Sequence, residues 1–192
     1  MQTEFEATFY PIGKDEMQTR LKEAGAKLEY PERLMRRVTF HMPEGHRSIH
    51  KWARVRDEGD KITMSVKEVQ DGGGIEAQKE AMVTLTDFEE GVEFLKAIGC
   101  REKSYQETRR ELWTLDGVEI TLDEWPFLYP LVEIEGKSEE AVRAVGEKLG
   151  FAWSEAKFYP AGAIYMEKYG KTEDHINNGT PRIVFGEPNP FV

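Results

Sequence analysis

The sequence predicts an α+β domain built on a mostly antiparallel sheet. Three observations support this fold class: eight segments alternate apolar and polar residues, three segments have helical periodicity, and short turn signals join several strands. The strands are predicted at 2–9, 35–42, 51–57, 61–68, 76–85, 105–115, 117–124 and 130–136. Asp116-Gly117 and Gly59-Asp60 are typical hairpin turns, and the glycine-rich segment 71–74 is predicted to be a loop.

Three helices are predicted between these strands. They cover residues 14–29, 86–98 and 138–149. Each helix carries an apolar stripe, which in the first includes Met17 and Leu21, and such a stripe packs against a sheet. The second helix is predicted to begin at a capping box formed by Thr86 and Glu89.

The composition fits one domain of moderate size. The chain has 192 residues, of which 39% are hydrophobic, and a formal net charge of −10. This charge argues against nonspecific nucleic-acid binding and against an anionic membrane surface. With Cys100 as the only cysteine and no signal segment, we expect a cytoplasmic protein, monomeric or homodimeric. We expect residues 1–170 to form the domain and the polar segment 171–192 to form a C-terminal tail.

Strand alternation gathers charged side chains on one face of the sheet. If the apolar residues face the helices, the other face receives acids and bases from six strands. The acids are Glu4, Glu6, Glu119, Asp123, Glu133 and Glu135, and the bases are Arg54, Arg56, Lys67 and Arg109. On the strand at 105–115, this assignment places Arg110 and Leu112 outside, with Glu107, Arg109, Glu111 and Trp113 inside. A flat sheet with one solvated face and a closed tunnel with a charged interior both produce this pattern.

The ordered set of these residues resembles the CYTH superfamily, the triphosphate tunnel metalloenzymes. The resemblance covers about residues 2–165 and depends on Glu4-x-Glu6, Arg54-x-Arg56, Lys67, Arg109, Asp123 and Glu133-x-Glu135. The superfamily includes class IV adenylyl cyclases, thiamine triphosphatases and inorganic triphosphatases. The resemblance implies a closed eight-stranded antiparallel β-barrel, the triphosphate tunnel, with helices packed outside.

The resemblance also implies roles for individual residues. The implied ligands of Mg²⁺ or Mn²⁺ are Glu4, Glu6, Asp123, Glu133 and Glu135. The implied triphosphate-binding residues are Arg54, Arg56, Lys67 and Arg109, and catalytic roles fall on Glu4, Glu6 and Lys67. Hard oxygen ligands suit these two metals, and arginine forks match phosphate oxygens in pairs.

Two positions depart from the family pattern. The opening motif of the family is Glu-x-Glu-x-Lys, but Thr8 replaces the expected lysine here. Glu107 stands where the family often places a base. Arg37, which shares a strand face with Thr39, or Lys79 is expected to supply positive charge instead.

The expected function is metal-dependent hydrolysis of a triphosphate-bearing compound, either inorganic triphosphate, thiamine triphosphate or a nucleoside triphosphate. Two alternatives stay open: a class IV-type adenylyl cyclase that converts ATP to cyclic AMP and pyrophosphate, and a non-catalytic module that binds polyphosphate or nucleotide. In each case the expected partner is a small molecule, and neither nucleic acid nor a membrane.

Overall fold

The computed structural model describes residues 1–48, 50–70 and 73–192. The predicted loop at 71–74 therefore lies partly outside the described residues. The strands are Gln2–Phe9 (β1), Lys27–His41 (β2), Lys51–Asp57 (β3), Ile62–Val69 (β4), Gln78–Leu85 (β5), Arg101–Leu115 (β6), Val118–Glu124 (β7), Leu131–Gly136 (β8) and Arg182–Ile183 (β9). The α-helices are Lys14–Glu23 (α1), Phe88–Ala97 (α2), Glu139–Lys148 (α3), Ala161–Tyr169 (α4) and Glu173–Asn178 (α5).

Eight antiparallel strands form a closed barrel, which confirms the predicted fold class. The strand order is β2-β3-β4-β5-β1-β8-β7-β6, and β6 pairs back onto β2 to close the sheet. The short strand β9 adds to β6 in parallel. The barrel order places β2, β3 and β4 on the side opposite to β1, β8 and β7.

Apolar residues on the outer surface of the barrel pack under the helices. One core cluster includes Ala7, Phe9 and Ile134 of the strands with Leu21 of α1 and Val145 of α3. A second cluster lies under α2. Since these outward positions alternate with the charged ones, burying them directs the charged side chains into the barrel.

Two details of the helix predictions were wrong. Helix α1 ends at Glu23 rather than near residue 29, because Gly25 adopts a φ of 82° and the chain then enters β2. Helix α2 is capped by Asp87, whose side chain accepts a hydrogen bond from the backbone of Glu90. The predicted capping box at Thr86 is therefore not the cap.

Strand β6 is rotated relative to the predicted assignment. Trp113 is buried in the core beneath the helices, whereas Leu112 and Arg110 line the interior of the barrel. Leu112 and Trp113 are both large and apolar, so alternation alone does not tell which of them faces the helices. The structure selects the tryptophan, which buries more apolar area.

The C-terminal residues pack onto the barrel and contain two helices that the sequence pattern did not predict. Ile164 and Tyr165 of α4, Ile176 of α5, Ile183 of β9 and Phe191 share a third core cluster. The division between a domain at 1–170 and a tail at 171–192 stays a prediction, but this cluster spans the boundary. Within the described residues, no helix is long and apolar enough to cross a membrane.

Candidate active site

The barrel encloses a cavity of about 1560 Å³. This volume exceeds the roughly 300–1,000 Å³ of ordinary small-molecule sites. The residues predicted to bind metal or phosphate that line it are Glu4, Glu6, Arg37, Arg54, Arg56, Lys67, Glu133 and Glu135. The structure thus brings most of the predicted site residues into one chamber.

Three neighbouring strands build an acidic wall. Glu6 on β1 lies opposite Glu135 on β8, which in turn lies opposite Glu119 on β7. Burial and the charge of Glu6 raise the pKa of Glu135 to about 7. Burial and the charge of Glu133 raise the pKa of Glu6. Burial and repulsion between neighbouring carboxylates thus disfavour the charged forms of Glu6 and Glu135.

Lys67 on β4 forms ion pairs with one glutamate on β1 and one on β5. Its Nζ lies 2.9 Å from Oε2 of Glu4 and 3.8 Å from Oε2 of Glu80. Burial and a hydrogen bond with Glu80 raise the pKa of Glu4 to about 8. Glu80 also accepts a hydrogen bond of 3.1 Å from Nη2 of Arg54. The predicted site omitted Glu80, although alternation with Gln78 on the same strand indicates its inward direction.

Arg110 forms ion pairs with two of the predicted metal ligands, Asp123 and Glu133. Its Nε donates to Oδ1 of Asp123 at 2.6 Å, and its Nη2 donates to Oδ2 of Asp123 and, at 2.5 Å, to Oε2 of Glu133. The side chain of Asp123 is fully enclosed. This arginine was assigned to the outside of the barrel, so the sequence prediction missed it.

Arg109, the neighbouring residue, lies on the outer surface, and its predicted inward direction was wrong. Its guanidinium stacks 4.5 Å from the ring centroid of Phe185 and lies 3.7 Å from Oε2 of Glu124. Glu107 also faces outward, where its carboxylate accepts a hydrogen bond from the backbone of Phe185. The base expected in the cavity from β6 is therefore Arg110, and the acid at position 107 removes no charge from the cavity.

The opposite wall is basic. Arg54 pairs with Glu80, and Arg56 donates to Oε1 of Glu58 at 2.8 Å. Arg37 makes no ion pair with any described residue; it donates to the neutral Oε1 of Gln106 at 2.8 Å and stacks 4.1 Å from the ring of Trp125. Burial and the charges of Arg54 and Arg56 hold the pKa of Arg37 well below its usual value. Arg37 is thus a half-buried cation without an acidic partner among the described residues, and it faces the cavity as an anion-binding residue would.

Lys103 is a further cavity base that the sequence analysis did not identify. It lies on β6 and lines the cavity with Arg37. Burial and the charge of Arg37 lower the pKa of Lys103 to about 8. By contrast, Lys79 does not line the cavity, so Arg37 and Lys103 supply the positive charge expected on this side.

Thr8 does not lie where its side chain could contact a phosphate bound in the cavity. The residue is only 3% exposed, and its backbone exchanges two hydrogen bonds of 2.9 Å with Lys157, which continues the sheet beyond the start of β5. Its side chain does not line the cavity. The threonine in place of lysine therefore does not by itself argue for lost activity.

The carboxylates suit a hard divalent cation in type, but they are not assembled around one in this structure. No group of three or more His, Cys, Asp or Glu side chains within residues 1–48, 50–70 and 73–192 is arranged to hold a metal ion. Asp123 and Glu133 are paired with Arg110, whereas Glu6 and Glu135 line the cavity and Oε1 of Glu6 accepts a hydrogen bond of 3.3 Å from Gln78. Oxygen ligands of this kind are those that Mg²⁺ and Mn²⁺ prefer.

Residues 9–159 match the CYTH domain family. The chain belongs to the CYTH domain family. The match covers strands β2 to β8 and only the last residue of β1, and it stops before α4. The rest of β1, helices α4 and α5 and strand β9 therefore lie outside it. No curated protein sequence matches the chain.

Several solved structures have the same fold. The PH1012 protein from Pyrococcus horikoshii superposes with a TM-score of 0.67 at 21% identity, covering 82% of this chain and 96% of that protein. A proposed adenylate cyclase from Vibrio parahaemolyticus gives 0.72 at 15% identity, covering 85% and 97%. HpAC1 from Hippeastrum, a proposed adenylyl cyclase with a dominant triphosphatase activity, gives 0.53 at 13% identity, covering 90% and 97%. Because these sequence identities lie between 13% and 21%, the similarity shows a shared fold and does not show a shared activity.

Proposed function

We propose that this chain is a metal-dependent phosphohydrolase that acts on a triphosphate-bearing substrate inside the barrel. The observation that carries the proposal is Arg37, a half-buried cation that lines the cavity beside Arg54 and Arg56 and has no acidic partner among the described residues. Holding a charge away from water without an oppositely charged partner is costly, so an anion bound beside Arg37 would stabilise this arrangement. A triphosphate chain matches several arginines in a row because each guanidinium binds two oxygens.

The residues of the chain divide the work between the two walls. Arg37, Arg54 and Arg56 would bind and orient the phosphate chain, and Lys67 would neutralise charge near Glu4. Glu6, Glu135 and Glu4 would hold Mg²⁺ or Mn²⁺, with Glu133 and Asp123 joining if Arg110 releases them. When bound, such a cation supplies charge neutralisation at the attacked phosphorus. One carboxylate of the acidic wall would orient the attacking water.

Hydrolysis is preferred to cyclisation because HpAC1, which shares the fold, is described as having a dominant triphosphatase activity. The test measures products from tripolyphosphate, thiamine triphosphate and ATP with Mg²⁺ or Mn²⁺. We expect phosphate release from at least one compound. Cyclic AMP and pyrophosphate from ATP would contradict hydrolysis in favour of cyclisation. Binding without turnover of all three compounds would leave only the non-catalytic module.

Arg37 and its neighbour Arg36 form a matched pair for this assay. Arg36 lies outside the barrel, where its Nε donates to Oδ2 of Asp57 at 3.2 Å. Because a charge-assisted hydrogen bond is worth about 1.5–3 kcal/mol, Arg37→Gln should lower kcat/KM by roughly 10- to 100-fold. Arg36→Gln should change kcat/KM by less than about twofold, since an exposed ion pair contributes little. Equal effects of the two substitutions would contradict the assignment of Arg37.

A further inference from the structure

A β-bulge directs Lys103 into the cavity. The pairing register of β6 with β2 shifts between Ser104 and Glu102, so Lys103, which lies between them, is the extra residue of the bulge. Gln106 and Arg110 line the cavity from even-numbered positions, and simple alternation would therefore direct Lys103 outward. The bulge reverses the alternation, and Lys103 lines the cavity instead.

The amine of Lys103 has a different environment from that of Lys67, which also lines the cavity. Lys67 forms ion pairs with Glu4 and Glu80, whereas Lys103 forms no hydrogen bond or salt bridge with any residue in the ranges 1–48, 50–70 and 73–192. Although burial opposes it, nearby carboxylates raise the pKa of Lys67, while burial and the charge of Arg37 lower that of Lys103 to about 8. At pH 7 the neutral, nucleophilic fraction of Lys103 is therefore roughly 300 times that of an ordinary lysine.

Two further charged groups lie beside this amine. The guanidinium of Arg37 is held against β6 by its hydrogen bond of 2.8 Å to Gln106, three residues after Lys103. Glu173, the first residue of α5, lines the same cavity, and its charge acts on Lys103. The remaining titratable neighbour is His41 of β2, whose pKa is lowered by burial and by the charge of Lys103. A nucleophilic amine, an anion-binding guanidinium and a proton-carrying carboxyl group therefore occur together.

We propose that Lys103 is a covalent binding site for small phosphorylated aldehydes, in which Arg37 binds the phosphate and the Lys103 amine attacks the carbonyl carbon. We name Lys103, Arg37 and Glu173 together the imine site. A desolvated lysine beside another cation is suited to this reaction, because its amine is not masked by a proton. Arg37 suits a phosphate because a guanidinium binds two phosphate oxygens at once.

The reaction at the imine site is a condensation and needs neither an oxidant nor a reductant. The lone pair of the Lys103 Nζ forms a bond with the carbonyl carbon. The two protons of the amine pass to the carbonyl oxygen, one of them through the carboxyl group of Glu173, and this oxygen leaves as water. The product is an imine that fills part of the cavity. The inference goes beyond the proposed hydrolysis and does not depend on it.

The test uses the full chain and pyridoxal 5′-phosphate as the probe. After incubation at pH 7, cyanoborohydride reduces the imine to a stable amine, and peptide mass spectrometry identifies each labelled lysine. We expect Lys103 to be labelled at least about tenfold faster than any other lysine, because its neutral fraction is larger. This measurement requires no variant, so it does not depend on how a substituted protein folds.

Two lysine variants make the assignment specific. Lys103→Arg keeps the positive charge but has no nucleophilic amine, so the fast labelling should disappear. Lys61→Arg is the matched control, because Lys61 also lines the cavity but is 47% exposed and lies 3.6 Å from Oε2 of Glu58. It should be labelled at Lys103 as fast as the parent.

A comparison of pyridoxal 5′-phosphate with pyridoxal tests the role of Arg37. The ratio of the two labelling rates at Lys103 should fall about tenfold in Arg37→Gln, because the charge-assisted hydrogen bonds to the phosphate are lost. A change in the pKa of Lys103 affects both aldehydes and cancels in this ratio. Equal labelling rates at all lysines, fast labelling of Lys103→Arg, or an unchanged ratio in Arg37→Gln would each overturn the imine site. Fast labelling of Lys103 in a protein that hydrolyses no triphosphate would contradict only the proposed function.

Discussion

Arg109 lies on the outer surface of the barrel and the adjacent Arg110 lines the cavity. Substituting each residue in turn tests which face of β6 points into the barrel. Arg110→Met would leave Asp123 and Glu133 without their shared cation inside the barrel. Removing one partner of a buried ion pair costs about 3–5 kcal/mol. The side chain of Arg110 is 19% exposed to the cavity, so we expect a loss of about 3 kcal/mol, near the lower end of that range.

Arg109→Met is the control for the same change in side-chain chemistry. The side chain of Arg109 is 45% exposed, and its nearest acidic partner is 3.7 Å away. Its loss should lower the free energy of unfolding by no more than about 1 kcal/mol. Urea denaturation at neutral pH, with EDTA present, measures both values, and an unchanged slope shows that the unfolding reaction is the same.

A third variant and a metal titration make the comparison sharper. Arg110→Lys keeps one charge and loses the fork, so its stability should lie between those of the parent and Arg110→Met. If the freed carboxylates of Asp123 and Glu133 are metal ligands, Mn²⁺ should stabilise Arg110→Met more than it stabilises the parent. Equal losses for Arg109→Met and Arg110→Met, or a larger loss for Arg109→Met, would refute the placement of the two residues.

Three further predictions follow from the charges of the cavity. The double substitution Glu6→Gln and Glu135→Gln should weaken Mn²⁺ binding. It should also raise the melting temperature of the metal-free protein, because it removes repulsion between carboxylates on β1 and β8. A lower melting temperature would contradict this prediction. Lys103, with a pKa of about 8, is mostly protonated at pH 7 and mostly neutral at pH 9. The fall in tripolyphosphate affinity over this interval, measured by calorimetry, should therefore be roughly tenfold larger in the parent than in Lys103→Arg, because titration of Glu4 and Glu135 contributes equally to both proteins. Thr8→Lys should cost about 1–3 kcal/mol of stability in urea denaturation without strengthening tripolyphosphate binding, because a lysine at this buried position overpacks it.

The sign of the Lys103 effect also predicts a change in stability without ligand. The pKa in the folded protein lies below the value of the unfolded chain, because burial and Arg37 disfavour the charged form. Between pH 8 and about 10.5 the unfolded chain therefore binds more protons, and this residue adds stability as pH rises through that window. Lys103→Gln should reduce that rise when urea denaturation is measured at several pH values.

Much of the barrel could be predicted from alternation along the strands. On β1, β3, β4, β7 and β8, the central positions of one face are apolar, so the direction of Glu6, Arg54 and Lys67 follows from the direction of their neighbours. Strand β6 lacks that uniformity, since Leu112 and Trp113 compete for the outer core. The face of Arg110 therefore depends on three-dimensional packing, which a period of two does not encode.

The C-terminal helices could not be predicted for a related reason. Helix α5 has six residues and α4 has nine, too short for a clear apolar stripe. Their burial depends on a third core cluster that joins Trp125 and Leu131 of the barrel to Tyr165 and Phe191. Contacts between distant parts of the chain stabilise these helices, and intrinsic helix propensity contributes little at this length.

One wall of the cavity has clustered carboxylates and the other has clustered arginines, and a single ligand that carries both charges could neutralise them. On one side, burial and the charge of Glu6 raise the pKa of Glu135. On the other side, burial and the charges of Arg54 and Arg56 lower the pKa of Arg37. The strand order places these walls across the barrel from each other. A phosphate chain alone would satisfy the arginines and worsen the repulsion at the acids, and a divalent cation alone would do the reverse. The proposed ligand, a triphosphate carrying Mg²⁺ or Mn²⁺, presents the matching charge to both walls. The affinity for each component should therefore rise in the presence of the other.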